Sequence, residues 1–525
     1  MEFLSAAIDV TNLRYHLSVV TFLPLVGALF LTFIHRKRER ELKATAFFFS
    51  LITFVASLPI LFEFQSGGGA GFSLVEEVAW IPAFNIKYIM GVDGISVFLV
   101  LLTTFLSPIV MLSSTSNVHH KVKEYFIAML VLQTGLIGSF CALDLFLFYV
   151  FFELMLIPMY LLIGVWGSDE IERREAALKF FVYTLVGSLL MFLAVLYVAH
   201  EAGTFDIRLL PEACRNLSST AQYVCFGAFM LSFAIKTPVF PFHTWLPQAH
   251  TEAPTGGSVV LAGVMLKLGT YGMLRFAIPF FPEPAVALSG AISVLAVIGI
   301  IYGSMMALAQ DDLKKMIAYS SVAHMGFIVL GLFSFNLIAV QGALLQNINH
   351  GLSTGLLFLL VGVIYERRHT RIFAEFGGIA KVMPKFAVLF MIATLSSIGL
   401  PGTNGFVGEF LILLGTFGGM PNGDWTWTTG STLAVFAASG VVLGAVYMLW
   451  GYQRVFFGEI TVKENKNLRD VTPLEMSFAL PVVVLIFFIG LNPTPLLTRT
   501  EPAVKATIEN ARASAAQRME AVAHK

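Results

Sequence analysis

Long apolar runs dominate the chain. Hydrophobic stretches of about 18 residues or more can cross the hydrocarbon core of a bilayer as helices. They fall near 15–34, 44–64, 93–115, 124–142, 145–166, 178–199, 222–248, 255–279, 286–308, 315–333, 337–364, 384–419, 431–456 and 475–491. Asp144 alone divides 124–166 into two spans, and 315–333 is short for one. The pattern predicts an all-α membrane protein of about 14 transmembrane helices. The seventh (222–248) and twelfth (384–419) are overlong, contain internal breakers and read as discontinuous.

Between the runs, 65–92 holds Gly67–Gly68–Gly69 and alternating stretches around Trp80–Ile81–Pro82, which suit a small hairpin outside the membrane. Residues 501–520 mix charge with helix-favouring composition and predict an amphipathic surface helix. No cleavable leader is expected, because the first apolar run begins after Arg14 and continues as a full span. Basic clusters such as Arg36–Lys37–Arg38, Arg173–Arg174, Lys314–Lys315 and Arg367–Arg368 fall in the odd-numbered loops. The even loops hold only Lys87, Arg208, Arg215 and Arg275. Odd loops are therefore expected to be cytoplasmic and both termini to lie on the other side. No linker interrupts the pattern, so 1–525 reads as one polytopic domain.

Composition agrees. Of 525 residues, 57% are hydrophobic and 13% charged, where a soluble chain carries about 25% charged residues. With 33 Lys+Arg against 33 Asp+Glu, nothing points to nucleic acid. Cys141, Cys214 and Cys225 lack CxxC spacing, which argues against zinc, iron–sulfur clusters and a disulfide framework. Neither a P-loop nor a GxGxxG after a strand is present, so neither a nucleotide site nor a redox centre is expected on this chain.

Four charged residues remain deep inside predicted spans: Glu153, Lys236, Lys267 and Glu409. Each costs about 2.5–3.5 kcal/mol at the bilayer centre even on lenient scales, and such residues usually face a bundle interior and mark an ion path. The plainer alternative is a set of helix–helix salt bridges that only fix packing. Lys236 precedes Pro238 and Pro241, and Glu409 follows Pro401–Gly402 and Asn404–Gly405. Proline and glycine open both helices beside an ionisable group, which is tolerated at membrane depth only where backbone is buried or lines a wet cavity. Paired breaks of this kind point to inverted repeats, here two five-helix units near 124–279 and 286–456. Lysine can release its proton where arginine cannot. Glu153 and Lys236 are expected to pair, Lys267 to act as the central relay and Glu409 to serve as an exit-side group. His324 and His350 suit a relay near neutral pH, although a lone histidine on an apolar helix is often only a core residue. His243 reads as a relay member or a mouth residue. His250 and Glu252 are expected to stay solvated or cap a helix, Asp144 to cap one, and Asp311–Asp312 to cap and anchor another.

At these residues a family resemblance emerges. KTPVFPFHTWLPQAHTEAPTGGSVVLAGVMLKLGTYG (236–272), DDLKKMIAYSSVAHMG (311–326), NHGLSTGLLFLLVG (349–362) and GLPGTNGFVGEF (399–410) resemble signature blocks of the antiporter-like proton-translocating subunits of respiratory complex I, NADH:quinone oxidoreductase. The likeness covers about 90–500. It implies a fourteen-helix fold with two inverted five-helix repeats and a hydrophilic axis whose charged positions match Glu153, Lys236, Lys267 and Glu409; with His324 and His350 these are the expected proton relay. It implies no cofactor on this chain: NADH, FMN, iron–sulfur clusters and quinone would belong to other subunits. Partners would be the antiporter-like chains L and N, which typically have lysine where this sequence has Glu409. The location implied is the bacterial inner membrane. A multi-subunit Na+/H+ antiporter subunit of the Mrp type and a membrane-bound hydrogenase arm share the blocks and are the rival readings, together with a purely structural scaffold.

Overall fold

The computed structural model describes residues 15–64, 71–418 and 429–523. Among these, twelve helices are long and apolar enough to cross a membrane. They are α1 (His16–Phe33), α2 (Glu39–Glu63), α3 (Val97–Asn117), α4 (Val122–Cys141), α5 (Leu145–Trp166), α6 (Glu170–Ala202), α9 (Thr255–Phe280), α10 (Ser289–Leu308), α11 (Leu313–Phe333), α12 (Leu337–Arg368), α15 (Gly430–Phe456) and α16 (Pro473–Leu491). Two further segments are interrupted, as expected: α7 (Ser219–Lys236) with α8 (Trp245–Glu252), and α13 (Pro384–Ser397) with α14 (Asn404–Phe417). A final helix, α17, runs Thr494–Ala523.

Sequence chemistry sets the boundaries. Asp144 caps α5 by accepting from the Phe146 and Leu147 amides at 2.9 and 3.0 Å, and Asp312 caps α11 through the Lys314 and Lys315 amides at 2.6 and 3.1 Å. The expected hairpin forms from β1 (Ser73–Ile81) and β2 (Ile86–Val92), paired antiparallel; the Gly67–Gly69 turn lies outside the described residues. Its Glu77 carboxylate is held below the usual range by bonds from Lys87 and Arg208. The tail helix α17 is longer than expected and buries Ala503, Val504, Ile508, Ala511 and Ala515 on one face, the spacing of an apolar helical stripe. It is bonded to the bundle where Gln341 donates to the Leu497 carbonyl at 3.2 Å.

Loops of one sign gather on one side. Ser168 donates to the Glu252 carbonyl at 3.0 Å, Arg371 to Thr251 at 2.8 Å, Phe373 to Asp311 at 2.9 Å, and Asn465 to Glu375 at 2.9 Å. These bonds join the loops that carry most of the lysine and arginine. The hairpin and the Gly203 loop meet on the opposite side, where Asn85 donates to the Gly203 carbonyl at 2.7 Å. Burial then sorts the helices. The most apolar window of α9 is 100% buried, and those of α11 and α12 are each 94% buried, against 28% for α2 and 33% for α16. The helices that carry Lys267, His324 and His350 are thus central, and the purely apolar ones form the rim.

One ion pair here was not anticipated. Arg275, at the end of α9, donates to Asp93 just before α3, with the Tyr271 and Phe72 rings 5.4 and 5.1 Å from the guanidinium carbon. Both charges are almost fully buried. Arg275→Leu leaves Asp93 an uncompensated buried charge and should cost about 3–5 kcal/mol. Adding Asp93→Asn should restore most of it. Thermal denaturation of the detergent-purified protein checks this; a double variant as unstable as the single one would contradict it.

Candidate functional site

The second break is the better anchored. Helix α13 ends at Ser397, the chain turns with Gly399 and Gly402 at φ +73° and +91°, and α14 begins at Asn404. Both glycines occupy the left-handed region that other residues avoid. A side chain at Gly405 would meet the Ser396 carbonyl at 2.0 Å, so α14 starts in direct contact with the end of α13. Asn349 donates to the exposed Asn404 carbonyl at 2.7 Å, and a side-chain network completes the turn: Ser396 donates to the Asn404 side chain at 2.6 Å, and the Ser353 and Ser396 hydroxyls pair at 2.7 Å.

Glu409 lies in the second turn of α14, 4% exposed. Its Oε1 is 2.9 Å from His324 Nδ1 and accepts from Gln346 Nε2 at 3.1 Å. His324 Nε2 is 3.2 Å from the Ser397 hydroxyl. The His324 and His350 rings are 5.6 Å apart between centroids, and His350 Nδ1 is 2.7 Å from Lys267 Nζ. Polar groups therefore run from Lys267 through His350 and His324 to Glu409. A cavity of ≈ 10 Å³ lined by His324, Gln346, His350, Ser353, Ser396 and Ser397 lies at the gap between the two rings, about the room one water needs. With the lysine ammonium donating, Nδ1 of His350 accepts and Nε2 carries the proton; that Nε2 has no partner among the described residues.

Lys267 is fully buried. It lies between two π-helical turns, Leu261–Met265 and Met273–Ala277, and also donates to the Ala262 carbonyl of the first. Such turns leave carbonyls without their usual partner and recur at functional sites. Gly269, two residues on, is where α9 touches the other break. A Cβ there would lie 2.1 Å from Thr237 Oγ1 and 2.6 Å from the Phe233 carbonyl.

At that first break, Lys236 is the last residue of α7 and is buried. Trp245 Nε1 donates to the Ile235 carbonyl at 2.9 Å, holding the start of α8 against the end of α7. The Lys236 ammonium sits 4.7 Å over the Phe152 ring. Glu153, the next residue, is half-buried beside the Ser188 hydroxyl and acts on Lys236 through space. Among the described residues no direct ion pair joins them; the lysine rests on the aromatic face instead.

Two expectations change. His250 and Glu252 are not solvated: both are buried, His250 completely, stacked on Phe358 at 4.7 Å with an interplanar angle of 8°. Glu252 accepts from the Asp169 amide at 3.0 Å and so bridges two loops. His250 and Glu252 lie in the last turn of α8, whose C-terminal half is buried, and only Ala253 and Pro254 separate it from α9. Lys314 is likewise buried and donates to the Ala253 and Thr251 carbonyls at 2.6 and 3.2 Å. It lines a cavity of ≈ 200 Å³ on the basic side, with Asn117, Trp166, Thr255, Glu366 and Arg371. His243 is buried against Phe240 and Tyr302, with ring centroids 5.5 and 5.2 Å away.

Residue-by-residue reading missed Gln346, Asn349, Ser396 and Ser397. The signal was present in QNINH (346–350), four amide or imidazole side chains within five positions of an apolar run, which lipid-facing helix would not carry. Among the described residues no group of three His, Cys, Asp or Glu is placed to hold a metal ion.

Comparison with known proteins gives a consistent result. Residues 142–437 match the family profile described as NADH:quinone oxidoreductase/Mrp antiporter, TM, and residues 19–139 match NADH-ubiquinone oxidoreductase chain 4, amino terminus. The chain is 46% identical over 509 residues to NADH-quinone oxidoreductase subunit M of Rhodobacter capsulatus, covering 94% of this chain and 96% of that one. It superposes on a chain of respiratory complex I from Thermus thermophilus with TM-score 0.84 and 31% identity, covering 94% of this chain and 99% of the other. A chain of the Mrp complex from Dietzia, at TM-score 0.81 and 20% identity over 96% of this chain and 99% of that one, shares the fold.

The hydrogen-bond lengths rank the partners of His324. Glu409→Ala leaves His324 Nδ1 buried without its nearer partner and should cost about 1–3 kcal/mol, whereas Ser397→Ala should cost about 0.5–1.5 kcal/mol. Unfolding temperatures of the two purified variants decide it; an equal or reversed order would show that Glu409 is not the principal partner.

Proposed function

The chain belongs to the NADH:quinone oxidoreductase/Mrp antiporter family of membrane subunits, and on that premise we propose that Glu153, Lys236, Lys267, His324, His350 and Glu409 form a proton relay. The chain corresponds to subunit M of the quinone oxidoreductase and to chain 4 of the ubiquinone enzyme. It is a multi-pass subunit of a proton-pumping enzyme complex in the bacterial inner membrane, with other antiporter-like subunits, chains L and N, as its partners. Quinone reduction takes place in other subunits, which hold NADH, FMN, iron–sulfur clusters and quinone; this chain carries no cofactor. Two inverted five-helix repeats, near 124–279 and 286–456, bring the breaks at Pro238 and Pro401 into corresponding positions.

The observation that carries the reading is the run of contacts Lys267–His350–His324–Glu409. A proton leaving the Lys267 ammonium enters His350 at Nδ1, and the proton already on Nε2 leaves through the cavity to His324. His324 hands a proton to Glu409 across 2.9 Å. Each imidazole takes a proton at one nitrogen and releases one at the other, as histidine suits. Glu153 and Lys236 sense charge at the other end of the axis, and a change on Glu153 alters the field at Lys236 without a contact having to break. The rival reading, a subunit of a multi-subunit Na+/H+ antiporter, shares the fold and the family profile. Identity of 46% along almost the whole chain favours the quinone oxidoreductase.

Lys267→Arg keeps the charge but removes the ability to release a proton. Pumping into inverted membrane vesicles should be lost with the complex still assembled. Glu153→Gln should also lower coupled pumping at normal complex content. Full-rate pumping by Lys267→Arg would overturn the relay, and full-rate pumping by Glu153→Gln would remove Glu153 from it.

A further inference from the structure

We propose that Ser188 is the positioning residue for Glu153: its hydroxyl partners the carboxyl group in both protonation states, so Glu153 gains and loses its proton without a helix having to move. The proposal rests on the relay reading above and deepens it at Glu153, the relay acid that has no ion pair among the described residues.

Ser188 lies near the middle of α6 and is fully buried. It belongs to the inward stripe Thr184, Ser188, Met191 and Val195, whereas Val182, Val186, Leu189 and Leu193 on the other face are exposed. Three groups meet its hydroxyl. The Glu153 carboxylate stands beside it, and so does the Tyr149 phenol one turn back on α5. The hydroxyl also donates to the Leu185 carbonyl at 3.1 Å. Packing fixes these neighbours. A Cβ at Gly187 would lie 2.9 Å from Ile235 Cδ1 and 3.1 Å from Ser232 Cα, so α6 touches α7 at the turn that ends in Lys236. The Tyr149 ring stacks on Phe192 with centroids 4.5 Å apart and 22° between planes, which ties α5 to α6 one turn beyond Ser188. The serine oxygen therefore sits where α5, α6 and α7 join. Among the described residues no other side chain is hydrogen-bonded to the Glu153 carboxylate.

A serine hydroxyl has one proton and two lone pairs. Inside a helix it ordinarily gives that proton to a carbonyl one turn back, and the bond to Leu185 is of this kind. Beside a carboxyl group that changes charge, a second setting exists. With Glu153 charged, the Ser188 proton turns to the carboxylate and makes a charge-assisted bond. With Glu153 protonated, the carboxyl O–H donates to the Ser188 oxygen and the Ser188 proton returns to Leu185. The switch is a rotation about the serine C–O bond. Ser188 keeps one proton throughout, and none of its covalent bonds breaks. Glu153 thus carries its charge on a hydrogen bond, and Lys236 is left to the Phe152 ring.

Proton pumping by the assembled complex in inverted vesicles tests this. Ser188→Ala removes the oxygen, and Ser188→Thr keeps it. Pumping per complex should fall about tenfold in Ser188→Ala, the low end of what one hydrogen bond to a charged group is worth. Ser188→Thr should restore most of it. A packing role would not give that result, because alanine and threonine disturb packing in opposite senses. Adding Ser188→Ala to Glu153→Gln should cost nothing further, since the hydroxyl acts through the Glu153 proton. Full-rate pumping by Ser188→Ala overturns the proposal, and so does a Ser188→Thr complex as slow as Ser188→Ala. If Ser188→Thr does not assemble, the double variant decides: a further fall below Glu153→Gln alone overturns the proposal. If Ser188→Ala does not assemble, Ser188→Cys, similar in size but a weak donor, takes its place under the same criteria. Glu153→Gln alone separates the two levels: full-rate pumping there removes Glu153 from the relay, whereas reduced pumping there beside a full-rate Ser188→Ala refutes only the role of Ser188.

Discussion

In hydrocarbon a backbone amide or carbonyl without a partner costs several kilocalories per mole, so a spanning helix stops only where protein supplies the missing bonds. Everything functional in this chain follows from that constraint. Proline and glycine stop two helices, near Pro238 and Pro401, and the surrounding helices must then present polar side chains at mid-membrane depth. At the second break Asn349 bonds the Asn404 carbonyl, and the Ser396 and Ser353 hydroxyls hold the Asn404 side chain in place. Once helices with such side chains face one another, a buried lysine or glutamate can be accommodated beside them. The breaks come first in the physical order, and the charges follow.

The same constraint decides which helices hold the site. A helix that carries QNINH cannot face lipid, and α12 is central; a helix such as α2, apolar nearly all round, can. Close approach is achieved with glycine where a methyl would strike backbone, at Gly269 against Phe233 and at Gly405 against Ser396. Small residues between helices take the place of the hydrophobic driving force that lipid does not provide. Hence Lys267 and the Lys236 break share a wall although they are 31 positions apart.

Much of this was legible in the sequence because its signals are long and periodic. Spans, breaks, basic-side loops, the hairpin and the caps at Asp144 and Asp312 each rest on a run of residues or a local rule, and each is found in the structure. What was not legible depends on three-dimensional neighbours. His250 reads as a loop residue in QAHTEAPTGGS, yet it belongs to α8, and the packing of that helix against Phe358 buries it. A Glu153–Lys236 pair is a natural expectation from charge alone, yet the Phe152 ring takes the position over the ammonium. Gln346 and Ser397 contact Glu409 or His324 from other helices, and no spacing along one chain reveals that.

On the relay reading, the two ends of the axis explain each other. Lys267 charged and Glu409 charged are two buried ions of opposite sign separated by two imidazoles, too far apart to pair directly. Each is solvated only by its own contacts, and desolvation weighs against both. Passing one proton from Lys267 to Glu409 neutralises both ends at once and leaves no net charge in the interior. Low dielectric therefore favours the transfer, and the ion contacts of Ala262, Gln346 and His324 resist it. The two terms oppose each other, and on this reading a charge arriving at Glu153 or Lys236 tips the balance between them. A lysine in place of Glu409 would convert the same transfer from charge neutralisation to charge displacement. The carboxylate thus makes this axis a different electrostatic device from one built on lysine alone.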